Sequence, residues 1–347
     1  PYTSEETIAN TSGLDALIDG HSHNTIVGKY VKDETEKNVI LTQTGSYFDS
    51  IGMMLIDSET GEITTELLGA DHPLIIDSPV DETVKSIKDS WILEINDRLG
   101  TVIGTSEVAL RNHDDNGNRL VRSQETNCGS FVADALYYLF DHMGMDVDIA
   151  ISNGGGIRNN NPITGALSYQ TCKEINPFGN VACLQTVKGQ QILDALEWGS
   201  RLAPTVQVGG FLQVSGIRYE IDTTIESTVQ SDDKGIWTGP PTSEYRVKNV
   251  TVYNKETHTY EPLQLNASYN LAGLNYTLRD LGDGFAMFDG AINVVDYVMV
   301  DYMVLANYIM GFENGEIGAT NSPLLTAYPN MLVDYGTVNG SGRIVIK

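Results

Sequence analysis

Two short segments of the chain carry side chains that could do chemistry. Gly20-His21-Ser22-His23 places two imidazoles after an apolar run, and Asn153 to Arg158 places an amide, three glycines and an arginine after another. Imidazoles bind zinc and related metals, and an arginine fork suits phosphate oxygens. Glycines let a backbone approach a ligand or adopt positive φ. The first segment is either an incidental pair or a metal-binding pair, and the second is either a ligand-binding edge or an ordinary glycine turn.

Two loops each hold an aromatic residue between turn-forming residues. Phe178 lies within Asn176 to Asn180, and Phe285 follows Gly282-Asp283-Gly284. Two such rings could stack on the faces of a planar base, which is worth roughly 1 to 3 kcal/mol per base. Taken singly, each ring is more typical of loop packing than of a base-binding site.

Length and charge limit the classes of function. The chain has 347 residues, 41% of them hydrophobic, which suits two domains with ample core. With 21 Lys and Arg against 46 Asp and Glu, the formal net charge is −25. Such a surface repels nucleic acid polymers. Small anionic ligands are expected only where arginines or metal ions reverse the field locally.

Cysteine use and the longest apolar run give two further expectations. The three cysteines form no Cys-x-x-Cys pair, so a disulfide framework and a structural zinc site are disfavoured. Cys172 and Cys183 could pair, or both could be free buried thiols. The run from Val294 to Met310 contains Asp296 and Asp301, which predicts a buried helix and no membrane span.

The first part of the chain, residues 1–78, has the pattern of a strand-rich region. Turn-forming residues separate its apolar runs. The predicted strands are Leu14 to Ile18, Val39 to Thr42, Ser50 to Ile56 and Ile63 to Leu67. From Pro79 to Gly100, apolar residues recur at helical spacing, which predicts one amphipathic linker helix.

The remainder, residues 101–347, mixes helices and strands without a regular βαβ rhythm, so the predicted class is α+β. Two helices are expected, from Thr126 or Asn127 to Met143 and from Gln190 to Leu202. The predicted strands are Val147 to Ser152, Val181 to Val187, Phe211 to Ile221, Val247 to Tyr253 and Tyr269 to Leu274.

Five blocks in this second region together resemble the C-terminal domain of the 5'-nucleotidase family, which includes UDP-sugar hydrolases and 2',3'-cyclic nucleotide 2'-phosphodiesterases. The resemblance covers roughly residues 101–310. The blocks are Glu125 to Gly129, Asn153 to Arg158, Asn176 to Asn180, Gly210 to Ile217 and Gly282 to Phe285.

The resemblance implies a role for the first region as well. It looks like the tail of the metallophosphoesterase sandwich that precedes this domain in the family, with Gly45-Ser46-Tyr47 and Ile51-Gly52 similar to its closing strands. His21 and His23 would then be metal ligands of a centre with two divalent ions, zinc or manganese. The expected fold is an incomplete sandwich, the linker helix and a mixed α/β domain.

The same resemblance implies a nucleoside-binding pocket in the second region. Arg122, Asn153 and Arg158 match residues that contact the nucleotide. Phe178 and Phe285 match the pair of rings that stacks on the base, and Asn180 and Asp289 match polar contacts to base and ribose. The expected ligands are nucleosides and nucleotides.

The family's metal centre also needs a bridging aspartate, an Asn-His motif and further ligands. Apart from the histidines at residues 21 and 23, the chain offers no complementary metal motif, and Asn112-His113 lies after the linker helix, in the second region. We therefore predict that the chain needs the upstream half of the catalytic domain as a partner and has little phosphatase activity alone.

Two alternative functions are a nucleoside-binding module without catalysis and an ester hydrolase of the UDP-sugar hydrolase or thiosulfohydrolase branch. The paired aromatics disfavour a substrate without a planar base. The acidic surface and the family's usual location predict a protein that is extracellular, attached to the cell wall or periplasmic.

Overall fold

The chain divides into two compact units, the first extending to Ser90 and the second from Trp91 to Lys347. The computed structural model describes residues 3–46 and 48–347, so Tyr47 of the predicted closing-strand motif lies outside the described residues. The boundary falls inside one long helix. Each unit has its own sheets and its own apolar core.

The first unit contains a small three-stranded sheet and a separate hairpin. In the sheet, β3 lies between β1, to which it is parallel, and β2, to which it is antiparallel; β4 and β5 form the hairpin. A small cluster of Ile8, Val39 and Leu41 is its core. The elements are α1 (Ser4–Ala9), β1 (Ala16–Ile18), β2 (Thr25–Lys32), β3 (Asn38–Thr44), β4 (Ser50–Ile56), β5 (Ile63–Gly69) and α2 (Pro73–Ile76).

The four strands predicted in this region are confirmed, although the first is shorter than its apolar run. Strand β2 was not predicted, because its residues are mostly exposed and show no clear alternation of polar and apolar side chains.

The helix predicted between Pro79 and Gly100 is present as α3 (Glu82–Leu99). The Asp81 carboxylate accepts hydrogen bonds from the backbone N–H groups of Thr83 and Val84, which satisfies the first turn. None of its residues is buried, and Trp91 in its apolar stripe is 59% exposed.

The second unit is larger and mixes helices with strands throughout, which confirms the α+β class. Its first elements are β6 (Val102–Leu110), α4 (Asn127–His142), β7 (Ile149–Asn153), β8 (Ile163–Ser168), α5 (Tyr169–Ile175), β9 (Ala182–Lys188), α6 (Gly189–Ser200), β10 (Leu212–Ser215), β11 (Ile217–Ile221) and β12 (Gln230–Ser231). They are followed by β13 (Trp237–Gly239), β14 (Val247–Asn254), β15 (Thr259–Pro262), β16 (Ser268–Leu274), α7 (Asn275–Leu278), β17 (Ile292–Val295), α8 (Asp301–Gly311), β18 (Glu316–Ile317), α9 (Pro323–Ala327) and β19 (Ile344–Ile346).

A five-stranded sheet of order β10-β7-β16-β9-β17 lies at the centre of this unit. Strands β7 and β16 are parallel, and the other pairs are antiparallel. Further sheets have the orders β15-β14-β11-β19, β18-β6-β8 and β12-β13.

The central sheet separates two apolar cores. Along β7, Ile149 and Ile151 belong to one core and Ala150 to the other, because successive strand side chains point to opposite faces. Helices α4 and α8 contribute to the core that contains Ala150, and α6 to the one that contains Ile149. Burial on both faces explains why Ile149, Ala150 and Ile151 of β7 are apolar in succession and do not alternate with polar residues.

Two predictions about apolar runs need correction. The run from Phe211 to Ile221 is two strands, because Gly216 at φ +75° separates β10 from β11. The run from Val294 to Met310 is not one helix: it contains the end of β17 and most of α8. Within the described ranges, no helix is both long and apolar enough to cross a membrane.

Candidate functional site

The site begins at the end of β7, where Asn153 leads into a 3-10 turn of three glycines, Gly154–Gly156. The expected positive φ is wrong, since none of the three adopts it. A Cβ at Gly154 would lie 2.2 Å from the Val121 carbonyl oxygen, and one at Gly155 would lie 3.0 Å from Gly209 Cα. The glycines are required here because neighbouring backbone segments pack directly on the turn.

One of those segments carries Arg122 at the end of the 3-10 helix Leu120–Arg122. The fully buried Gln213 side chain of β10 donates from Nε2 to the Val121 carbonyl at 3.1 Å. The Arg122 carbonyl accepts from the Val208 backbone N–H at 3.0 Å. These bonds fix the backbone of Arg122 beside the glycine turn. Burial and nearby cations lower its pKa there.

The positive charges near Arg122 are close enough to perturb one another. Burial, and then the charges of Arg119 and Arg158, lower the pKa of Arg122 to about 10, while the Asp283 carboxylate acts in the opposite direction. Burial lowers the pKa of His113, and the charges of Arg119 and Arg122 lower it further. This local excess of positive charge lies in a chain whose formal net charge is −25.

The loop that carries Phe178 is attached to the glycine turn. The Asn176 side chain donates to the Gly156 carbonyl at 3.2 Å, and the Arg158 backbone N–H donates to the Ile175 carbonyl at 2.8 Å. The Arg158 guanidinium carbon lies 5.2 Å from the centroid of the Phe178 ring, within cation–π range. Phe178 is 56% exposed, so its ring retains surface for a ligand.

Asn180, at the end of this loop, is held through its backbone by Asp301 at the start of α8. The Asn180 N–H donates to Asp301 Oδ2 at 3.0 Å, and the Asp301 N–H donates to the Asn180 carbonyl at 2.8 Å. Burial raises the pKa of Asp301 to about 6, although the backbone donors of Tyr302 and Asn180 act against that rise. This reciprocal pair sets the end of the loop that presents Phe178.

The second aromatic segment lies on the other side of Asn153. The Asn153 side chain donates from Nδ2 to Asp283 Oδ2 at 3.0 Å. Phe285 has no exposed surface; its ring stacks on Phe288 with centroids 6.1 Å apart and planes at 13°. Asp289, in contrast, is exposed.

The structure thus brings together Arg122, Asn153, Arg158 and Phe178 from three separate segments. Phe285 is close to this group through the Gly282–Gly284 turn, but its ring is covered. Asn180 enters the site through its backbone, and Asp289 lies on the surface beyond the second aromatic.

Sequence reasoning missed four residues at this site. Gln213 supports the Arg122 segment, and Asp283 bonds to Asn153. The Arg201 guanidinium carbon lies 3.7 Å from the centroid of the Trp198 ring, and burial lowers the pKa of Arg201 while the Asp283 charge acts in the opposite direction. His113 lies close enough to Arg122 for the charge of that arginine to add to the lowering of its pKa by burial. Only Gln213 had a detectable signal, as a polar side chain inside an apolar strand pattern.

His21 and His23 of the first unit are both exposed and both have left-handed backbones, at φ 68° for His21 and 61° for His23. Across residues 3–46 and 48–347, no group of three or more His, Cys, Asp or Glu side chains could hold a metal ion. The pair therefore does not make a metal centre with the other described residues.

The three cysteines are free and buried, which decides between the two expectations for Cys172 and Cys183 in favour of thiols. Burial raises the pKa of each thiol to about 12, so none is a reactive thiolate at neutral pH.

Comparison with known proteins shows the family to which the chain belongs. The family model of the 5'-nucleotidase C-terminal domain matches residues 102–290, more than half of the chain. The chain belongs to the 5'-nucleotidase family. The resemblance inferred from the five sequence blocks is confirmed, and the match contains Arg122, the glycine turn, Phe178 and Phe285.

Two curated relatives align with most of this 5'-nucleotidase family chain. Trifunctional nucleotide phosphoesterase protein YfkN of Bacillus subtilis (strain 168) is 28% identical over 316 residues, which are 89% of this chain and 20% of YfkN. Cell wall protein Lmo0130 of Listeria monocytogenes is 26% identical over 310 residues, which are 86% of this chain and 35% of that relative. The chain thus spans between a fifth and about a third of these relatives.

The fold of this 5'-nucleotidase family chain also matches a solved structure. The 5'-nucleotidase precursor from Thermus thermophilus superposes with a TM-score of 0.68 at 25% identity. The superposition covers 98% of this chain and 60% of that chain. Both units of the chain therefore resemble parts of one larger protein.

Proposed function

We propose that the second unit recognises nucleosides and nucleotides as the substrate-binding part of a phosphohydrolase that acts on 5'-nucleotides, 2',3'-cyclic nucleotides or both. The observation that carries this proposal is the convergence of Arg122 and Arg158 on the glycine turn, next to the exposed ring of Phe178. A nucleotide has an anionic group and a planar base, which these side chains can bind together.

Electrostatics supports the phosphate part of the proposal. Arg122 is half-buried, its pKa is lowered by burial and by two other arginines, and its Nε lacks a hydrogen-bond partner among the described residues. An anion between the arginines relieves their mutual repulsion and supplies the missing acceptor. Because the formal net charge of −25 repels small anions over most of the surface, a phosphate is expected to bind only where arginines reverse the field locally.

The base-binding part rests on Phe178. Its exposed ring, backed by the Arg158 guanidinium, offers a stacking surface for a purine or pyrimidine. Stacking on Phe285 as well requires that its ring become uncovered when a ligand binds. We assign Asn180 and Asp289 to polar contacts with the base and ribose from their match to such residues in the family.

We further propose that the first unit completes a metallophosphoesterase domain with the upstream half of a longer protein. Many of its apolar side chains are exposed, including Ile18 at the edge strand β1 and Ile51, Leu55 and Ile56 of β4. A partner that covers this surface is expected to bring the remaining ligands for two divalent ions, zinc or manganese, beside His21 and His23. When bound, such ions activate a water and neutralise phosphoryl charge.

For location, we propose an extracellular, wall-attached or periplasmic protein. The support is the similarity to cell wall protein Lmo0130 of Listeria monocytogenes, together with the acidic composition of the chain. Fractionation of the source cells, with detection by an antibody to this chain, tests this proposal; recovery in the cytoplasmic fraction contradicts it.

Calorimetric titration with adenosine and AMP tests the binding proposal. We expect both ligands to bind and Phe178→Ala to weaken both by about tenfold, because the base loses one stacking surface. Phe48→Ala, which removes a fully exposed ring in the first unit, is the matched control and should change nothing. Equal binding by Phe178→Ala and the unmodified chain contradicts the assignment.

A phosphate-release assay separates an enzyme from a binding module without catalysis. AMP and 2',3'-cyclic AMP are incubated with the chain and added zinc or manganese. We expect binding with little release, because the described residues contain no group of three or more His, Cys, Asp or Glu side chains that could hold a metal ion. Turnover by the chain alone contradicts the requirement for an upstream half.

A further inference from the structure

We propose that Asp283 is a positioning residue that fixes the amide orientation of Asn153 for ligand recognition, with Tyr276 holding its second carboxylate oxygen. This inference rests on the proposed nucleotide-binding function and assigns a role to a residue of the Gly282–Gly284 turn that would act on a ligand through Asn153.

The chemistry of the contact sets the orientation of the amide. Asp283 Oδ2 lies 3.0 Å from Asn153 Nδ2, and an ionised carboxylate can only accept hydrogen bonds. The amino group of Asn153 must therefore face Asp283, which leaves Oδ1 on the other side. Both amide atoms lie beside the glycine turn: a Cβ at Gly156 would lie 3.0 Å from Asn153 Oδ1, and one at Gly155 would lie 3.3 Å from Nδ2. Asn153 thus offers Oδ1 as an acceptor beside Gly156.

Several contacts fix Asp283 itself. The Tyr276 hydroxyl donates to Oδ1 at 3.2 Å, and the Trp198 indole N–H donates to the Asp283 carbonyl at 2.9 Å. The backbone of Asp283 is left-handed, at φ 54°, a conformation that costs energy in a non-glycine residue. Surrounding contacts that maintain such a conformation are typical of functional sites.

The Gly282–Gly284 turn is also closely packed against Tyr276 and Gly210. A Cβ at Gly282 would lie 2.4 Å from the Tyr276 ring, and one at Gly210 would lie 3.2 Å from Asp283 Cβ. Glycine at these two positions therefore allows the tyrosine and the carboxylate to reach their places. The geometry restricts Asp283 to a narrow range of positions beside Asn153.

Asp283 has a second effect through its charge. It is the carboxylate that counteracts the lowered pKa values of Arg122 and Arg201. It therefore offsets part of the positive charge available to a bound phosphate. Without Asp283, the Asn153 amide is no longer held in place, so the binding of a neutral nucleoside should weaken. The binding of an anionic nucleotide should weaken less, because removal of the carboxylate strengthens the positive field of the arginines.

The test is a double-mutant cycle measured by calorimetry with adenosine and with AMP. We expect Asp283→Ala to weaken adenosine by about tenfold, the scale of a hydrogen bond to a charged group. In an Asn153→Ala background the same substitution should have little further effect, because the amide that it orients is gone. The loss of affinity caused by Asp283→Ala should be at least threefold smaller for AMP than for adenosine. Tyr276→Phe should have a smaller effect than Asp283→Ala in the same direction.

Asp233→Asn, which removes an exposed carboxylate, is the charge control and should leave both affinities unchanged. Thermal melts of every variant identify a general loss of folding. Equal losses for Asp283→Ala with and without the Asn153 side chain, or equal losses for adenosine and AMP, overturn the inference.

A ligand-free measurement separates this inference from the proposed function. If the unmodified chain binds neither adenosine nor AMP, the proposed function fails. The inference is still tested by NMR of the Asn153 side-chain amide after asparagine-selective labelling. Two well-separated amide proton signals that move together in Asp283→Asn, and are unchanged in Asp233→Asn, support the contact. Signals unaffected by Asp283→Asn overturn it.

Discussion

The two units of the chain differ sharply in how they bury apolar side chains. The second unit has two large cores on either side of a central sheet, with Phe131 and Trp198 fully or almost fully covered. The first unit has a core of a few residues, and large side chains such as Ile51 are exposed. A domain is stabilised mainly by the apolar surface it buries. The second unit should therefore be stable alone, whereas the first should become more stable when a partner buries its exposed apolar side chains.

Polar groups show the same contrast. In the second unit, the guanidinium of Arg343 and the carboxylate of Asp134 form an ion pair at 2.8 Å with almost no exposure. In the first unit, the pairs Lys29–Glu5 and Lys37–Asp15 are largely exposed. Exposed pairs contribute little stability, whereas breaking a buried pair leaves an uncompensated charge.

The largest predicted effect is the loss of the buried ion pair. Arg343→Ala should destabilise the second unit by about 3–5 kcal/mol, because the Asp134 carboxylate remains buried without its cation. Guanidinium unfolding followed by tryptophan fluorescence measures it, since Trp198 and Trp237 both lie in this unit. Lys347→Ala, which breaks the exposed pair with Glu220, should cost less than about 1 kcal/mol.

Hydrogen exchange read by mass spectrometry then asks whether the two units are independent. In Arg343→Ala, faster exchange should be confined to the second unit. Equal acceleration in β3 of the first unit would contradict the division into separate units.

The next effect concerns the small core of the first unit. Leu41→Ala should destabilise this unit by about 2–4 kcal/mol, because Leu41 is almost completely buried on the central strand β3. Exchange protection of β1 to β3 is the measurement. Ile51→Ala, at a site that is 57% exposed, should change protection by less than about 0.5 kcal/mol. A large effect of Ile51→Ala would mean that this surface is already covered.

A smaller effect is expected from the pH dependence of Asp301. Burial raises its pKa from the ordinary value of 3.8 to about 6, so its contribution to stability is present below about pH 4 and lost as the pH rises through 6. Relative to Asp301→Asn, the unmodified chain should lose about 2 kcal/mol between pH 4 and pH 6.5. Guanidinium unfolding at a series of pH values measures this difference. Parallel pH profiles for the two proteins would show that Asp301 does not titrate as stated.

The smallest effect is expected for the thiols. In the folded chain, Cys128, Cys172 and Cys183 should react with a thiol reagent much more slowly than free cysteine, since all three are buried and protonated at neutral pH. All three should react after unfolding in guanidinium without reductant. Detection of only one thiol in the unfolded chain would contradict the free state of Cys172 and Cys183.

Local sequence patterns predicted those helices and strands whose capping residues and apolar pattern match their burial in the structure. The Thr126 side chain caps α4 by accepting from the Gly129 N–H, as its position before an apolar helix indicated. Strand β7 was recognisable because its first three residues are apolar and all of it is buried. The arginine after the glycine turn was identified from residue type and order alone.

Tertiary packing decided what the sequence could not show. The three glycines indicated positive φ, but their reason is contact with the backbones of Val121 and Gly209, which are distant in sequence. Phe285 has the same local setting as Phe178, yet it is buried against Phe288 while Phe178 is exposed. No separate role was predicted for Asp283, because its hydrogen bond is with Asn153, 130 residues earlier in the chain.

The most direct test of the nucleotide-binding claim is the affinity difference between AMP and adenosine, measured by calorimetry at low salt for the full chain and for Arg122→Ala. If Arg122 binds the phosphate, the substitution should weaken AMP by about tenfold or more and adenosine by less than about twofold, since charge-assisted bonds are lost only from the anion. Unchanged AMP binding in Arg122→Ala, or equal weakening of both ligands, would contradict the account.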